Sequence, residues 1–238
     1  MNILITGGAS GLGKSITHTL AASYADAKIY FTFNSSAEAA ADIEKNLSNT
    51  VALKLDFKDK QSIDQLAEEM TTLDIDILIH NALTGLRLNH FHKIGTDDYL
   101  KNFEENMYAV LKLTRSFIKI SRLRKSGKII TILSSAIGGV PQTGYSGYIA
   151  EKKYLLSMSD SWASENAQFN IQSNCVSPGF MDTPLNDKID SKTKEQLIHT
   201  HPLKKLLTTN EVADVVKFLV TATPHLNGQN IFLNNGKN

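Results

Sequence analysis

Short apolar runs rich in β-branched residues alternate with helical patterns along most of this 238-residue chain. Seven runs fit β-strands, at residues 3–5, 28–33, 51–55, 76–80, 128–133, 171–176 and 230–233. Helical spacing recurs at residues 16–24, 37–47, 61–72, 97–125, 148–166 and 211–220, whereas residues 180–206 are polar and predicted to be irregular. The alternation predicts an α/β fold of Rossmann type, a doubly wound, seven-stranded parallel sheet with helices on both faces.

Composition limits what such a fold can do here. A hydrophobic fraction of 42% suffices for one large core, and no linker or repeat divides the chain, so residues 1–238 are predicted to form a single domain. The net charge of +1 provides no general field for nucleic acid or an anionic membrane. Cys175 is the single cysteine, and no apolar run is long enough to span a bilayer. We therefore expect a soluble, cytoplasmic protein that binds neither nucleic acid nor membranes.

A glycine-rich loop follows the first strand and satisfies two patterns at once. Residues 8–15 fit G-x-x-x-x-G-K-S/T, a phosphate loop in which Lys14 would hold phosphates and Ser15 a magnesium ion. Residues 6–13 also fit T-G-x-x-x-G-x-G, a dinucleotide loop. Both patterns place an anion at a helix N-terminus, where free amides and the helix dipole favour negative charge. The loop alone does not choose between them.

The residues just past successive strands are expected to meet at one edge of the sheet. Ligands of doubly wound sheets bind outside the carboxyl ends of the strands. The residues at these positions are Gly7 to Gly13, Asn34, Ser35, Ser36, Asp56, Asn81, Ser134, Ser135, Pro178 and Gly179.

Tyr148 and Lys152 are four residues apart in a predicted helix, so their side chains share one face. A phenol has a pKa of about 10, and a neighbouring ammonium is expected to lower the pKa of Tyr148. The pair can then move a proton on or off a substrate oxygen, although this spacing is also common on solvated helix faces. Tyr145 has Ile149 at the matching position and is expected to be a pocket wall.

Two polar residues are candidates to assist this pair. Ser135 lies thirteen residues before Tyr148 at a strand end, where its hydroxyl can reach the same substrate oxygen or serve only the turn. Asn106 is inside the long apolar helix, where Asn competes for backbone hydrogen bonds. It is either an exposed or core-bonded residue or one held there for function.

Together these motifs resemble the short-chain dehydrogenase/reductase family, and above all its branch similar to 3-oxoacyl-carrier-protein reductase. The resemblance covers essentially the whole chain, in order and at matching spacing. The motifs are T-G-x-x-x-G-x-G at residues 6–13, Asp56, Asn81 with Ala82, Asn106, Ser135, Tyr148 with Lys152, and Pro178 with Gly179.

The resemblance implies an NAD(P)(H)-dependent oxidoreductase that transfers a hydride between nicotinamide and a carbonyl or secondary alcohol, for which a 3-oxoacyl thioester is one candidate. It makes Tyr148 the general acid/base, and Lys152 the group that lowers its pKa and holds the nicotinamide ribose. Ser135 would orient the carbonyl, and Asn106 would keep a proton-relay water near Lys152.

Cofactor contacts are implied by the same resemblance. Thr183 would bind the nicotinamide carboxamide, Asp56 would reach the adenine, and Asn81 the adenosine ribose side. Further expected contacts are Gly7, Ser10, Gly11, Leu12, Gly13, Phe57, Ala82, Pro178 and Gly179.

The sequence departs from the family pattern near the expected site. Leu83 stands where the third residue of Asn-Ala-Gly is usual, so it should crowd the approach of backbone to cofactor. Glu151 stands where a small residue is usual, and it is expected to raise the pKa of Tyr148 and slow turnover at neutral pH.

The end of the second strand bears on the choice of cofactor. NAD enzymes place a carboxylate there for the ribose hydroxyls, but Asn34, Ser35 and Ser36 occupy these positions, with no acid before Glu38. A 2′-phosphate would avoid repulsion and find hydroxyl and amide donors, although none of the three is basic. Charge complementarity therefore predicts NADP(H) over NAD(H).

The substrate is less constrained than the chemistry. A mixed set of side chains suits an acyl thioester, a sugar or a small ketone, and residues 181–206 should form a mobile lid. The expected pocket residues are Ile137, Gln142, Tyr145, Phe180 and Leu185.

Two other functions remain open. A P-loop nucleotide hydrolase or kinase would leave the Tyr148–Lys152 pair unexplained, and a catalytically idle dinucleotide sensor would have no need of it. No metal site is expected, because His90-x-His92 and His199-x-His201 lack a suitably placed third ligand. Excess apolar positions on helices 97–125 and 148–166 predict a homodimer or homotetramer.

Overall fold

The computed structural model describes residues 1–85, 88–140, 142–187 and 190–236, and its strands form one parallel sheet. The strand order is β3-β2-β1-β4-β5-β6-β7, so the chain reverses its direction of winding between β1 and β4. The predicted doubly wound, seven-stranded sheet is confirmed. The strands are β1 (Asn2–Ile5), β2 (Lys28–Phe33), β3 (Thr50–Lys54), β4 (Ile77–His80), β5 (Gly127–Ile132), β6 (Ile171–Pro178) and β7 (Asn230–Leu233).

Helices cover both faces of the sheet. In β1, Ile3 and Ile5 point into the hydrophobic cluster with α1, α2 and α7, while Leu4 points into the opposite cluster with α3, α4 and α5. Apolar side chains are needed on both faces, which is why the strands read as continuous apolar runs. The helices are α1 (Gly11–Ser23), α2 (Ala37–Asn46), α3 (Lys60–Leu73), α4 (Thr96–Arg124), α5 (Ser146–Asn166), α6 (Ser191–Thr200) and α7 (Thr209–Thr221).

Helix α6 was not predicted. The expectation of irregular structure throughout residues 180–206 is wrong, because Ser191–Thr200 is helical. Asp190 caps it, accepting hydrogen bonds from Thr193 N at 2.9 Å and Thr193 Oγ1 at 2.8 Å. No residue of α6 is buried, so the helix lacks the apolar stripe on which the prediction depended.

Within the described ranges, no helix combines the length and the apolar character needed to cross a bilayer.

Candidate active site

The glycine-rich loop between β1 and α1 is shaped by two close approaches. Gly7 has a φ of +68°, and a Cβ on Gly13 would lie 2.0 Å from the carbonyl oxygen of Gly7. The Nδ2 atom of Asn81, just past β4, donates to Thr6 O at 3.0 Å and to Gly7 O at 3.1 Å. The end of β4 therefore holds the loop in place, and Asn81 uses its amide donors on the loop itself.

The N-terminus of α1 suits an anion. Ser10 is the N-cap residue but makes no side-chain capping bond, so the first-turn amides have no side-chain acceptor from the cap. Ser15 Oγ donates to Thr209 Oγ1 on α7 at 2.7 Å. Ser15 therefore joins two helices, unlike the magnesium-binding serine of a phosphate loop. A dinucleotide pyrophosphate fits the loop, since its glycines keep the backbone free of side chains where the phosphates would approach.

A crevice of about 1000 Å³ runs along the carboxyl ends of the strands, large enough for a dinucleotide and a substrate. Most of the predicted site residues line it: Gly7, Ser10, Gly11, Leu12, Gly13, Asn34, Ser35, Ser36, Phe57, Asn81, Ala82, Ser135, Gln142, Tyr145, Tyr148, Lys152, Pro178, Gly179, Phe180, Thr183 and Leu185.

Three predicted residues do not line the crevice. The expectation that Ile137 lines the pocket is wrong, because this residue is only 7% exposed and packs in the hydrophobic core beneath the site. Asp56 lies between two residues that line the crevice, but its Oδ1 accepts a hydrogen bond from Lys58 N at 3.0 Å. Asn106 is buried behind the crevice.

Lys152 is fully buried next to Tyr148 on α5. Its Nζ donates to the carbonyl oxygen of Ile132 at 2.7 Å and lies 5.9 Å from the centroid of the Tyr148 ring. Burial lowers the pKa of Lys152 to about 8, although Glu151 and Cys175 raise it. Lys152 is therefore anchored to the end of β5, and its pKa lies much closer to neutral pH than the pKa of an ordinary lysine.

The pKa of Tyr148 differs from expectation. Burial raises the pKa of Tyr148, a hydrogen bond with Ser134 lowers it, and Tyr145 and Glu151 raise it further. The predicted lowering by Lys152 is wrong for this site: burial is the largest influence and raises the pKa of Tyr148, while the Lys152 ammonium is directed to Ile132 O. The predicted contribution of Glu151 is confirmed in direction. Tyr148 is therefore held as a protonated phenol near neutral pH.

Ser134 was expected at the carboxyl edge of the sheet, but the sequence analysis gave it no role. Ser134 and Ser135 both line the crevice, but it is Ser134 that hydrogen-bonds to Tyr148. Ser134 Oγ also accepts from Ala136 N at 3.2 Å and so begins the short 3₁₀ turn Ser135–Gly138. The thirteen-residue spacing drew attention to Ser135, and nothing in the pattern distinguished its neighbour.

Asn106 and Glu151 form a buried polar cluster between α4 and α5. Asn106 Oδ1 accepts from Thr84 N at 2.9 Å, and its Nδ2 donates to Thr84 O at 3.0 Å and to Glu151 Oε2 at 3.1 Å. Glu151 Oε1 accepts from Asn102 Nδ2 at 2.7 Å. Asn106 was expected to be either an exposed or core-bonded residue or one held there for function, and the structure shows it buried and hydrogen-bonded in the core.

Lys54 is a residue that the sequence did not single out. The parallel pairing of β2 with β3 places it opposite Phe33. Its Nζ donates to Asn34 Oδ1 at 3.2 Å and also to the backbone carbonyl of Asn34. A cation therefore stands at the end of β2, where no basic residue occurs among positions 34–36.

Helix α6 and Leu83 complete the crevice wall. Leu83 lines the crevice, as its expected crowding of the cofactor requires. The sequence did not predict that α6 forms part of the wall, because most of its residues at the crevice are polar and polar residues are typical of an exposed surface. These residues are Thr193, Gln196, Leu197, Thr200 and the following His201.

Residues 188 and 189 of the expected lid lie outside the described residues. In the described part of the chain, no three His, Cys, Asp or Glu side chains cluster as a metal site.

Comparison with known proteins agrees with this geometry. Residues 7–238 match the family model described as enoyl-(acyl carrier protein) reductase. The chain is 31% identical to nodulation protein G of Rhizobium sp. (strain N33), over 98% of this chain and 95% of that protein. It is 29% identical to the 3-oxoacyl-(acyl-carrier-protein) reductase FabG of Escherichia coli (strain K12), with the same coverage of 98% and 95%. A solved short chain dehydrogenase/reductase family protein matches with a TM-score of 0.84 and 26% identity, over 99% of this chain and 96% of that one.

A doubly wound sheet with a glycine loop and a Tyr–Lys pair at its carboxyl edge defines a dinucleotide-dependent oxidoreductase. The family match is as long as the chain from residue 7 onward. The chain belongs to the short-chain dehydrogenase/reductase family, whose members are NAD(P)-dependent oxidoreductases acting on carbonyl and alcohol groups. The alternative of a P-loop hydrolase or kinase is not supported, and the G-K-S match in the loop is a coincidence of spacing.

Proposed function

We propose that this chain reduces the keto group of a 3-oxoacyl thioester with NADPH, and that Tyr148 delivers the proton. The observation that carries the proposal is that Tyr148, Lys152, Ser134 and Ser135 all line the same crevice at the carboxyl ends of the strands. A phenol with a raised pKa stays protonated near neutral pH, which suits a proton donor in the reductive direction.

Each group in the site has a distinct role in this proposal. The bound nicotinamide supplies the hydride. Ser135 orients the substrate carbonyl, and Tyr148 gives its proton to the oxygen as negative charge develops there. Lys152, anchored on Ile132 O, holds the nicotinamide ribose beside Tyr148. Asn106 keeps the polar cluster behind the pair in order.

The proposed cofactor contacts can be divided by the part of the dinucleotide that each would meet. The pyrophosphate would lie on the glycine loop, Thr183 would bind the carboxamide, and Asp56 and Asn81 would border the adenosine. Contacts from residues 34–36 would surround the ribose 2′ position. The remaining proposed contacts are Ser10, Leu12, Phe57, Ala82, Pro178 and Gly179.

Substrate class rests on two considerations. The FabG relative is a 3-oxoacyl-(acyl-carrier-protein) reductase, and the crevice wall here combines apolar Phe180 and Leu185 with polar Gln142, which suits an acyl chain attached to a polar carrier. Residues 181–206 would act as a lid, because α6 packs over the crevice without burying any of its own residues.

NADP(H) is the proposed cofactor because of the charge around the ribose end. Glu38 is the first carboxylate after β2 and is exposed on α2, while the Lys54 ammonium stands beside Asn34. A 2′-phosphate there would meet a cation and hydroxyl donors, whereas NAD would find no carboxylate for its ribose hydroxyls.

The proposed assembly is a homodimer or homotetramer through α4 and α5, acting as a single-domain enzyme in the cytoplasm. Leu100 and Leu123 on α4 are 60% and 87% exposed, and contact with a second subunit would cover them. The buried, free thiol of Cys175 fits a reducing compartment.

Thermal unfolding and turnover test this function together. We expect NADPH to raise the melting temperature more than NADH, magnesium-ATP to leave it unchanged, and acetoacetyl-CoA to be reduced with NADPH. Stabilisation by magnesium-ATP alone would overturn the oxidoreductase function. Stabilisation by NADPH without turnover of any thioester, ketone or sugar would favour the idle sensor, and turnover of a ketone or sugar alone would replace the proposed substrate class.

A further inference from the structure

Glu151 is a buried carboxyl at a position where the family pattern has a small residue. Its side chain is 3% exposed, and it lies between α4 and α5. Burying a carboxyl is expensive unless its oxygens find donors. Here each oxygen accepts one amide hydrogen bond, from Asn102 at 2.7 Å and from Asn106 at 3.1 Å. The site therefore accommodates the acid with dedicated partners.

Glu151 and the proposed proton donor line the same small cavity. The cavity measures about 20 Å³, which is room for one water molecule, and both Tyr148 and Glu151 line it. Its other walls are polar and apolar groups of α4, of the segment after β4 and of the first turn of α5. They are Leu83, Thr84, Ile94, Asp98, Tyr99, Asn102 and Gly147. The cavity shares Leu83, Thr84 and Tyr148 with the lining of the large crevice and lies on the α4 side of Tyr148.

Proton donation creates a need that this arrangement can meet. Each reductive turnover leaves Tyr148 as a phenolate, which must regain one proton from solvent before the next cycle. The crevice side is covered by cofactor and substrate when these are bound. A route behind Tyr148 would work during that time.

We propose that Glu151 is a positioning residue that resupplies the Tyr148 proton through the cavity. The inference rests on the proposed role of Tyr148. A proton passes from the Glu151 carboxyl through a water in the cavity to the Tyr148 phenolate, and the carboxylate then takes one proton from solvent. The total charge and proton count of the pair are restored after each cycle.

The electrostatic surroundings agree with this role. Burial raises the pKa of Glu151 to about 7, while Asn102, Lys152 and Asn106 lower it. The titratable groups that face the cavity with it are Tyr148 from α5 and Asp98 and Tyr99 from α4, and Lys152 follows it in the chain. The described residues 83–85 contribute no charge. Glu151 is therefore able both to hold and to release a proton near neutral pH.

The test compares the wild type with Glu151→Gln, which keeps the size and one acceptor oxygen but cannot ionise. Glu165→Gln, an exposed carboxyl near the end of the same helix, is the matched control. With acetoacetyl-CoA and NADPH, the wild-type kcat should fall as pH rises through about 7. Glu151→Gln should lose that inflection and show a kcat about 100-fold lower at pH 6, at the lower end of the range for acid–base effects. A kcat lowered by one factor at all pH values would show a purely structural role and overturn the proposal.

A second measurement does not depend on turnover. The folded-state pKa of Glu151 lies above its ordinary value of 4.5, so the folded protein binds the extra proton and loses stability as pH rises from about 4.5 to about 7. Relative to Glu151→Gln, the wild type should lose melting temperature over that window. Parallel curves would overturn the proposal even if acetoacetyl-CoA were not a substrate. A wild type that shows the stability difference but does not reduce the thioester would contradict only the proposed substrate.

Discussion

The Nζ atom of Lys152 donates a 2.7 Å hydrogen bond to the carbonyl oxygen of Ile132, which lies at the end of β5. The bond joins the proposed catalytic helix α5 to the carboxyl edge of the sheet. Because Tyr148 precedes Lys152 by one helical turn, the same bond also fixes where Tyr148 lies along the crevice. The position of the proposed proton donor therefore follows from strand–helix packing.

Tyr148→Phe removes the proposed proton donor and keeps the ring. We expect kcat to fall by about a factor of 1000, within the range measured for general acid–base groups. The dissociation constant for NADPH should change little. Tyr145→Phe is the control, because its ring contacts Tyr148 edge-on with centroids 6.2 Å apart and has no proton to deliver in the proposal. Full activity in Tyr148→Phe would refute the assignment.

Ser134 and Ser135 can be separated by paired alanine variants. Ser135→Ala should lower kcat/KM by about 100-fold, the loss expected when a donor to a developing oxyanion is removed. Ser134→Ala should instead raise the pKa of Tyr148, since the Ser134 hydrogen bond lowers it. The pH profile of kcat/KM measures both effects. The reverse outcome, with the larger loss in Ser134→Ala, would transfer the carbonyl-orienting role to Ser134.

Lys54→Gln tests the choice of cofactor. Removing the cation beside Asn34 should lower kcat/KM for NADPH by about tenfold, a typical loss for one charged hydrogen bond, and leave NADH nearly unchanged. Lys45→Gln, an exposed lysine in the last turn of α2, is the control for net charge. An equal loss with both cofactors would mean that Lys54 only supports the end of β2. A wild-type preference for NADH would contradict the NADP(H) proposal itself.

Gly13→Ala should be damaging because its Cβ would lie 2.0 Å from the Gly7 carbonyl oxygen. We expect the free energy of unfolding to fall by about 1–3 kcal/mol, as for overpacked sites, together with weaker NADPH binding. Gly147→Ala offers a contrast, since its nearest contact would be Tyr99 Cε2 at 3.6 Å and α5 should tolerate it. Thermal unfolding and cofactor titration measure the difference. Normal binding by Gly13→Ala would exclude a pyrophosphate on this loop.

Lys152 sets the expected alkaline limit of activity. Its pKa is lowered to about 8 by burial, so kcat/KM should decline as pH rises through about 8 and the ammonium is lost. The folded-state pKa lies below the ordinary value of 10.5, so the cost of burying the ammonium is present below pH 8. That cost is relieved, and folding stability rises, between pH 8 and 10.5.

Lys153→Gln, an exposed neighbour, should keep the same alkaline limb. Activity that stays constant up to pH 10 would show that the charge of Lys152 is not required.

Several features of the site were within reach of the sequence because they depend on local pattern. Four-residue spacing placed Tyr148 and Lys152 on one helical face, and that face does line the crevice. The spacing of the glycines in the loop predicted an anion site next to β1. By contrast, no short stretch of the sequence indicates the order of the strands in the sheet. That order places β2 beside β3 and so brings Lys54 to Asn34.

The chain's periodicities and its glycine spacing determined the strands, six of the helices and the family, because hydrophobic period and backbone freedom are properties of neighbouring residues. Only the tertiary structure decided which polar groups meet and how deeply they are buried. Glu151 and Asn106 are 45 residues apart in the chain yet share a hydrogen bond. Because pKa values depend on desolvation and on such distant partners, the raised pKa of Tyr148 and the near-neutral pKa of Glu151 were decided by packing between α4 and α5.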